Sequence, residues 1–196
     1  MRGPTHLLLI PFLLFLEAAC GGEGPGPRAR ESLKSEMKGE VTMSIRLTSD
    51  GFTHGGEVPR RYTCDGEDLS PPLSWEGVPE GAVSLALIAD DPDAPAGTWV
   101  HWVLYGLDAA TRALPEAVPT DENVLDGAKQ GHNDFRRIGY GGPCPPPNGA
   151  HRYFFTIYAL SDKMHLDAGA TKAELLRAME GKVLAQGQLM GTYRRP

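Results

Sequence analysis

Apolar and polar residues alternate along the chain from Val41. Val41, Met43, Ile45 and Leu47 interleave with Thr42, Ser44, Arg46 and Thr48, a period of two that turns one face of a strand toward a core. The segments 83–89, 99–105 and 153–160 are short, continuous apolar runs bounded by Gly, Pro or Asp, the pattern of strands buried on both faces. One helix stands out, at 171–180. Thr171 and Glu174 have capping-box spacing, Leu175, Leu176 and Met179 share a face, and Gly181 can end it. A last strand is predicted at 183–193. Many short strands, a single convincing helix and 17 prolines predict a mainly β fold, a sandwich with a few peripheral helices.

The first 40 residues follow a different pattern. Arg2 precedes the apolar run from Leu7 to Leu16, which contains Pro11, and the small residues Ala18 and Ala19 stand before Cys20. A membrane span needs roughly 20 apolar residues, so this shorter run fits an export signal, 1–20. Cys20 directly after Ala-Ala resembles the lipobox of bacterial lipoproteins, in which the cysteine is lipidated and becomes the mature N-terminus. Glu17 departs from that pattern, which leaves ordinary cleavage and a soluble periplasmic product as the alternative. Residues 21–40, rich in Gly and Pro, read as a flexible tether, and 41–196 as one domain. The chain is therefore expected to be exported and held at a bacterial envelope membrane by a lipid anchor.

A formal net charge of -6 without a Lys/Arg cluster argues against nucleic acid as a partner. Polar chemistry gathers instead in three short motifs: Asp90-Asp91-Pro92-Asp93-Ala94-Pro95, Trp99-Val100-His101-Trp102 and His151-Arg152-Tyr153. A carboxylate favours the charged form of a neighbouring histidine, so Asp91 beside His101 or His151 would hold an imidazolium that attracts an anion. The Tyr153 hydroxyl and the backbone N–H groups of 139–142 would add donors. Asp91 would itself repel an anion, so it is assigned to orienting a histidine or receiving an ammonium. Asp90 and Asp93 read equally well as turn residues. Trp75, Trp99 and Trp102 are apolar anchors first, with Trp99 also counted as pocket wall. Strand alternation sets Arg152 opposite His151 and Tyr153, where an ion pair is expected, and Asn133 and Asp134 read as loop shapers. Metalloprotease, serine-hydrolase and nucleotide-loop motifs are absent, and no cofactor or metal is implied. Weak phosphoester hydrolysis or metal binding by Asp91, His101 and His151 is kept as an alternative to a non-enzymatic role. With Cys20 lipidated or removed, Cys64 and Cys144 are left as a pair in an oxidising setting, as a disulfide or as free thiols.

Together with Tyr62-Thr63-Cys64-Asp65-Gly66, Ser70-Pro71-Pro72-Leu73-Ser74-Trp75 and Gly141-Gly142-Pro143-Cys144-Pro145-Pro146, these motifs resemble the phosphatidylethanolamine-binding protein family, in its bacterial branch similar to Raf kinase inhibitor protein. The resemblance implies a β-sandwich with a small surface pocket for phosphate, acetate or a phospholipid head group. Carried over by position, the ligand residues would be Asp91, Pro92, Asp93, Pro95, Trp99, His101, Gly142, Pro143, Cys144 or the prolines beside it, His151 and Tyr153. It also implies a cis Ala94–Pro95 peptide. A second implication is a protein-interaction module, since the family includes kinase inhibitors in animals and protease inhibitors in fungi. For an exported chain that partner would be an envelope protein, met by a rim of Phe135, Ile138 and Tyr140.

Overall fold

The computed structural model describes residues 45–147 and 149–196, all within the compact unit Val41–Pro196. The expected export signal with Cys20, the expected tether and the first four residues of the alternating stretch lie outside the described residues. Nine strands are described: β1 (Arg46–Thr48), β2 (Leu73–Glu76), β3 (Ser84–Asp91), β4 (Trp99–Asp108), β5 (Ala113–Leu114), β6 (Asn123–Val124), β7 (Ala128–Gln130), β8 (Ala150–Leu160) and β9 (Val183–Arg194). One α-helix, α1 (Lys172–Met179), lies between β8 and β9, and single 3-10 turns form at Arg60–Tyr62 and Leu125–Gly127.

The strands make two antiparallel sheets, a small one in the order β1-β2-β5 and a large one in the order β6-β7-β4-β3-β8-β9. Leu47, Leu73, Trp75 and Leu114 of the small sheet share one core with Leu85, Leu87, Trp102, Leu104, Phe155 and Leu189 of the large one. The opposite face of the large sheet carries a second core, in which Ala86, Ile88, Val103 and Tyr105 meet Leu175 and Met179 of α1. Strand β3 therefore sits between two apolar layers, which is why its sequence is an unbroken apolar run rather than an alternation. Each large apolar side chain so buried contributes about 1.5–3 kcal/mol. At the edge of the large sheet, β9 buries Ala185, Gly187, Leu189, Gly191 and Tyr193 and turns the residues between them outward, the one-faced pattern of period two.

The helix has the capping box expected of it. The Thr171 hydroxyl accepts from the Glu174 N–H, and the Glu174 carboxylate accepts from the Thr171 N–H. Gly181, at φ 73°, turns the chain out after the cap residue Glu180. Leu176 departs from the expectation that it shares the buried face. Leu175 and Met179 are buried, one turn apart, whereas Leu176 is 41% exposed, because one residue along a helix rotates the side chain by about 100°.

Candidate functional site

Antiparallel pairing brings the three chemical motifs together. The end of β3 and the starts of β4 and β8 lie at the same end of the large sheet, with Asp91 opposite Trp99 and Asp90 opposite Phe154. Strict alternation would put His101 and Trp102 on opposite faces. The β3–β4 register instead passes from Ala89 opposite Trp102 to Asp90 opposite Val100, so His101 is the extra residue of a β-bulge. The bulge lets His101 turn inward along with Trp102.

These residues wall a cavity of about 180 Å³. Asp91, Ala94 and Pro95 form one side, Trp99 and His101 the floor from β4, and His151 the side from β8, with Phe135 and Cys144-Pro145-Pro146 closing the rest. Asp91 is buried, and its two oxygens are both engaged. Oδ2 accepts from His151 Nδ1 at 2.7 Å and Oδ1 accepts from the Asp93 N–H at 2.8 Å. This pairing fixes the orientation of His151 and leaves its Nε2 as the nitrogen that gains a proton when the ring becomes an imidazolium. His101 behaves differently. Its Nδ1–H donates to the Gly141 carbonyl at 2.6 Å, and since a carbonyl can only accept, Nε2 carries the lone pair. Burial pushes the His101 ionisation below its ordinary value, against smaller opposing effects from the Gly141 carbonyl and Asp91, so this ring stays neutral at pH 7. The expectation of an imidazolium at either histidine is thus corrected for His101. Trp99 lines the cavity with its buried Nε1–H lacking any partner among the described residues. Such an unsatisfied donor is uncommon in a folded interior.

Several residues expected at the ligand lie elsewhere. Pro92 is exposed on the turn. Asp93 faces away and grips Arg152, accepting from its Nε at 2.9 Å, its Nη2 at 2.7 Å and its backbone N–H at 3.0 Å. Those bonds hold its carboxyl down at about 2. The ion pair expected of Arg152 is this one. The Gly142 N–H donates to Asp68 Oδ1 at 2.7 Å, the Gly141 N–H to the His101 carbonyl at 2.9 Å and the Gly139 N–H to the Gly131 carbonyl at 3.3 Å, so the three glycine amides expected to cradle an anion are already bonded. Pro143 turns its carbonyl to the Cys64 N–H at 3.1 Å. Tyr153 lies beneath the floor, packed edge to face on His101 at 5.2 Å, with its buried hydroxyl lacking an aligned partner. Burial, then the Asp91 carboxylate, push the ionisation of that phenol up. The Ala94–Pro95 peptide is trans. The Ala94 carbonyl accepts from the Gly97 N–H at 3.1 Å, which makes Pro95 the second residue of a β-turn, a position its fixed φ suits.

Other wall residues were not singled out as ligand contacts in the sequence: Ala94 and Phe135. Phe135 packs edgewise on Trp99 and His101, at 5.4 and 5.3 Å between ring centres. Cys144 is bonded to Cys64, with Cα atoms 5.4 Å apart. The bridge anchors the proline wall, since Pro145, Pro146 and Pro147 have no N–H with which to bond anything. Among the described residues, no three His, Cys, Asp or Glu side chains converge as a metal-binding group.

A larger groove, about 520 Å³, runs past the other end of β3 and β4. Three of its polar groups are committed to backbone carbonyls: Ser84 Oγ to Asp162 at 2.6 Å, Tyr105 Oη to Asp167 at 2.5 Å and Lys129 Nζ to Leu166 at 2.7 Å. It gathers no histidine and no unpartnered buried donor, so the smaller cavity is the better candidate.

Comparison with known proteins follows the same residues. A family model described as phosphatidylethanolamine-binding protein matches residues 48–194. The UPF0098 protein of Methanothermobacter thermautotrophicus is 52% identical over 151 residues, covering 77% of this chain and 99% of its own length. That of Aquifex aeolicus is 47% identical over 171 residues, covering 81% and 99%. Among solved structures, a phosphatidylethanolamine-binding protein homologue from Chlamydia trachomatis, CT736, matches with a TM-score of 0.72 at 41% identity, over 79% of this chain and 100% of that one. Escherichia coli YbcL, described as a member of the mammalian family, matches with a TM-score of 0.73 at 32% identity, over 78% and 99%.

Proposed function

Because the chain belongs to the phosphatidylethanolamine-binding protein family, we propose that the cavity of Asp91, His101 and His151 binds the phosphate-bearing head group of a phospholipid, or a small anion like it, without chemical turnover. The observation that carries this reading is the Asp91–His151 pair on the cavity wall. An anion beside His151 draws a proton onto Nε2, and Asp91 stabilises the resulting imidazolium through Nδ1. The neutral His101, with its lone pair on Nε2, supplies an acceptor lining the same cavity. A donor that becomes cationic beside an acceptor that stays neutral is complementary to a phosphate and ammonium zwitterion.

Size supports a head group rather than a whole lipid. At about 30 Å³ per water, the cavity holds roughly six waters, below the roughly 300 Å³ at which pockets for larger ligands begin. The absence of turnover is supported by the neighbours of His151. Among the described residues no hydroxyl or thiol is hydrogen bonded to it, and the sulfur on the wall is held in a disulfide. The export signal and the Cys20 motif support a protein held at an envelope membrane, where phospholipid head groups are at hand.

Calorimetric titration of the full mature chain with O-phosphoethanolamine and with inorganic phosphate tests the proposal. Saturable binding is expected, weakened at least about tenfold in His151→Ala, the loss of a charge-assisted hydrogen bond. No heat with either compound at millimolar concentration would overturn it.

A further inference from the structure

The proline wall that closes the cavity is fastened at few points. Between Gly142, held by Asp68, and Ala150, where β8 begins, the described residues make one backbone hydrogen bond, from the Cys64 N–H to the Pro143 carbonyl at 3.1 Å. Pro145, Pro146 and Pro147 have no N–H to give, and of the three only Pro145 is buried. The other tie is the bridge from Cys144 to Cys64, and Cys144 lines the cavity beside Pro145 and Pro146.

The far end of that bridge is rigid. The turn at Arg60–Tyr62 runs on into Thr63, whose N–H and hydroxyl both donate to the Arg60 carbonyl, at 3.0 and 2.8 Å. Gly66 closes the turn with its N–H on the Thr63 carbonyl at 3.0 Å, and a Cβ there would fall 2.1 Å from the Arg60 oxygen. Asp65, next to Cys64, is clamped by the Tyr193 hydroxyl at the end of β9, at 2.9 Å, and by Arg195 Nη2 just beyond it, at 2.8 Å. A firm anchor is thus joined by two sulfurs to a lightly held wall, and the anchor sets where the wall stands. Both cysteines are only half-buried, within reach of a small dithiol.

We infer that Cys64 is a positioning residue for the cavity, acting through Cys144: the wall stands in place, and the anion is held, only while the bridge is oxidised. The inference rests on the anion-binding reading above and names the condition under which that site is formed. Opening the bridge takes two electrons and two protons from a dithiol, which becomes a cyclic disulfide while Cys64 and Cys144 become thiols. The freed wall then samples positions away from the cavity, and affinity falls with the fraction of time it stands closed. A wall closed for less than about a tenth of the time weakens binding more than about tenfold. In a chain with the expected export signal, the site is then completed only where disulfides persist.

The experiment is equilibrium dialysis of the full chain against radiolabelled inorganic phosphate and O-phosphoethanolamine. It compares the oxidised protein, the protein reduced with dithiothreitol, the same sample reoxidised, the double variants Cys64→Ser with Cys144→Ser and Cys64→Ala with Cys144→Ala, and Leu175→Ala. Circular dichroism at about 15 °C, near the temperature of greatest stability, shows which samples are folded, and trimethylamine N-oxide is added alike to all if any is not. The folded reduced protein and the folded double variants should bind phosphate at least about tenfold more weakly, with recovery on reoxidation. Leu175→Ala loses packing in the second core rather than at the wall, so it should bind as the native chain does although its Tm is lower. Binding of neither compound by the oxidised protein would overturn the anion-binding reading and the inference with it. Oxidised binding that changes less than about threefold in folded reduced or doubly substituted protein, or that is lost equally in Leu175→Ala, would overturn the inference alone.

Discussion

Replacing Cys64 and Cys144 together by serine removes the covalent tie between the 3-10 turn region after Arg60–Tyr62 and the proline wall of the cavity. The bridge spans 80 residues of sequence. Closing a loop of that length withholds about 15 cal/mol/K of chain entropy from the unfolded state, or about 4.5 kcal/mol at 25 °C. Residual structure in the unfolded chain reduces the effect, so a loss of about 3–4.5 kcal/mol is expected. That is a large share of the roughly 5–15 kcal/mol that holds a domain together. At about 2–4 °C per kcal/mol for a domain of this size, Tm falls by roughly 6–18 °C. Urea unfolding of the oxidised protein, the protein with a dithiol reductant and the double serine variant measures it. The reduced and variant proteins should unfold at similar, lower midpoints, with somewhat steeper transitions because the unlinked chain exposes more surface. Midpoints that agree within about 1 kcal/mol for the oxidised and variant proteins would refute the reasoning.

Three further outcomes follow from particular contacts. Asp93 is held at about 2 by Arg152, below its unfolded value near 3.9, so the pair contributes stability above that value and loses it as pH falls toward 2. Because the Arg152 side chain is half exposed, Arg152→Ala should cost no more than about 1 kcal/mol at pH 6 and nothing measurable at pH 2, read by urea unfolding at both. His101 has the opposite partner problem: its ionisation is lowered by burial, so the unfolded chain binds the extra proton and stability rises with pH up to about 6.5, a slope that His101→Gln should flatten. On α1, Leu175→Ala should cost about 2–5 kcal/mol and Thr171→Ala about 1 kcal/mol, while Leu176→Ala stays within about 0.5 kcal/mol, all by denaturant midpoints.

Much of the fold was legible because its strands are buried in recognisable ways. The apolar runs of β3, β4 and β8 mark strands between two layers, and the Thr171 and Glu174 spacing marks a helix start whose capping bonds are made as expected. Leu176 was misread because three large apolar residues within five positions do not say which two face the sheet. The short strands β5, β6 and β7 have no periodicity to read over two or three residues. At the site, the clustering of Asp91, Trp99, His101 and His151 was legible from motifs, but their division of labour was not. That Asp93 serves Arg152, that the Gly141 and Gly142 amides are spent, and that His101 is neutral all depend on partners 40 or more residues away. The bulge that turns His101 inward depends on pairing with β3, which one strand's sequence cannot reveal. Phe135 enters the wall through a loop geometry set by Asn133, and it was read only as part of a rim.

The most direct measurement is nitrogen-15 NMR of the histidine rings in the full chain at pH 7.5, titrated with inorganic phosphate and O-phosphoethanolamine. His151 should gain a proton at Nε2 as ligand saturates while keeping the Nδ1–H that faces Asp91, and His101 should remain neutral with its proton on Nδ1 throughout. A His151 ring unchanged at saturating concentrations of both compounds would contradict the account of this cavity as a site where an anion is held by a histidine that its aspartate prepares to receive a proton.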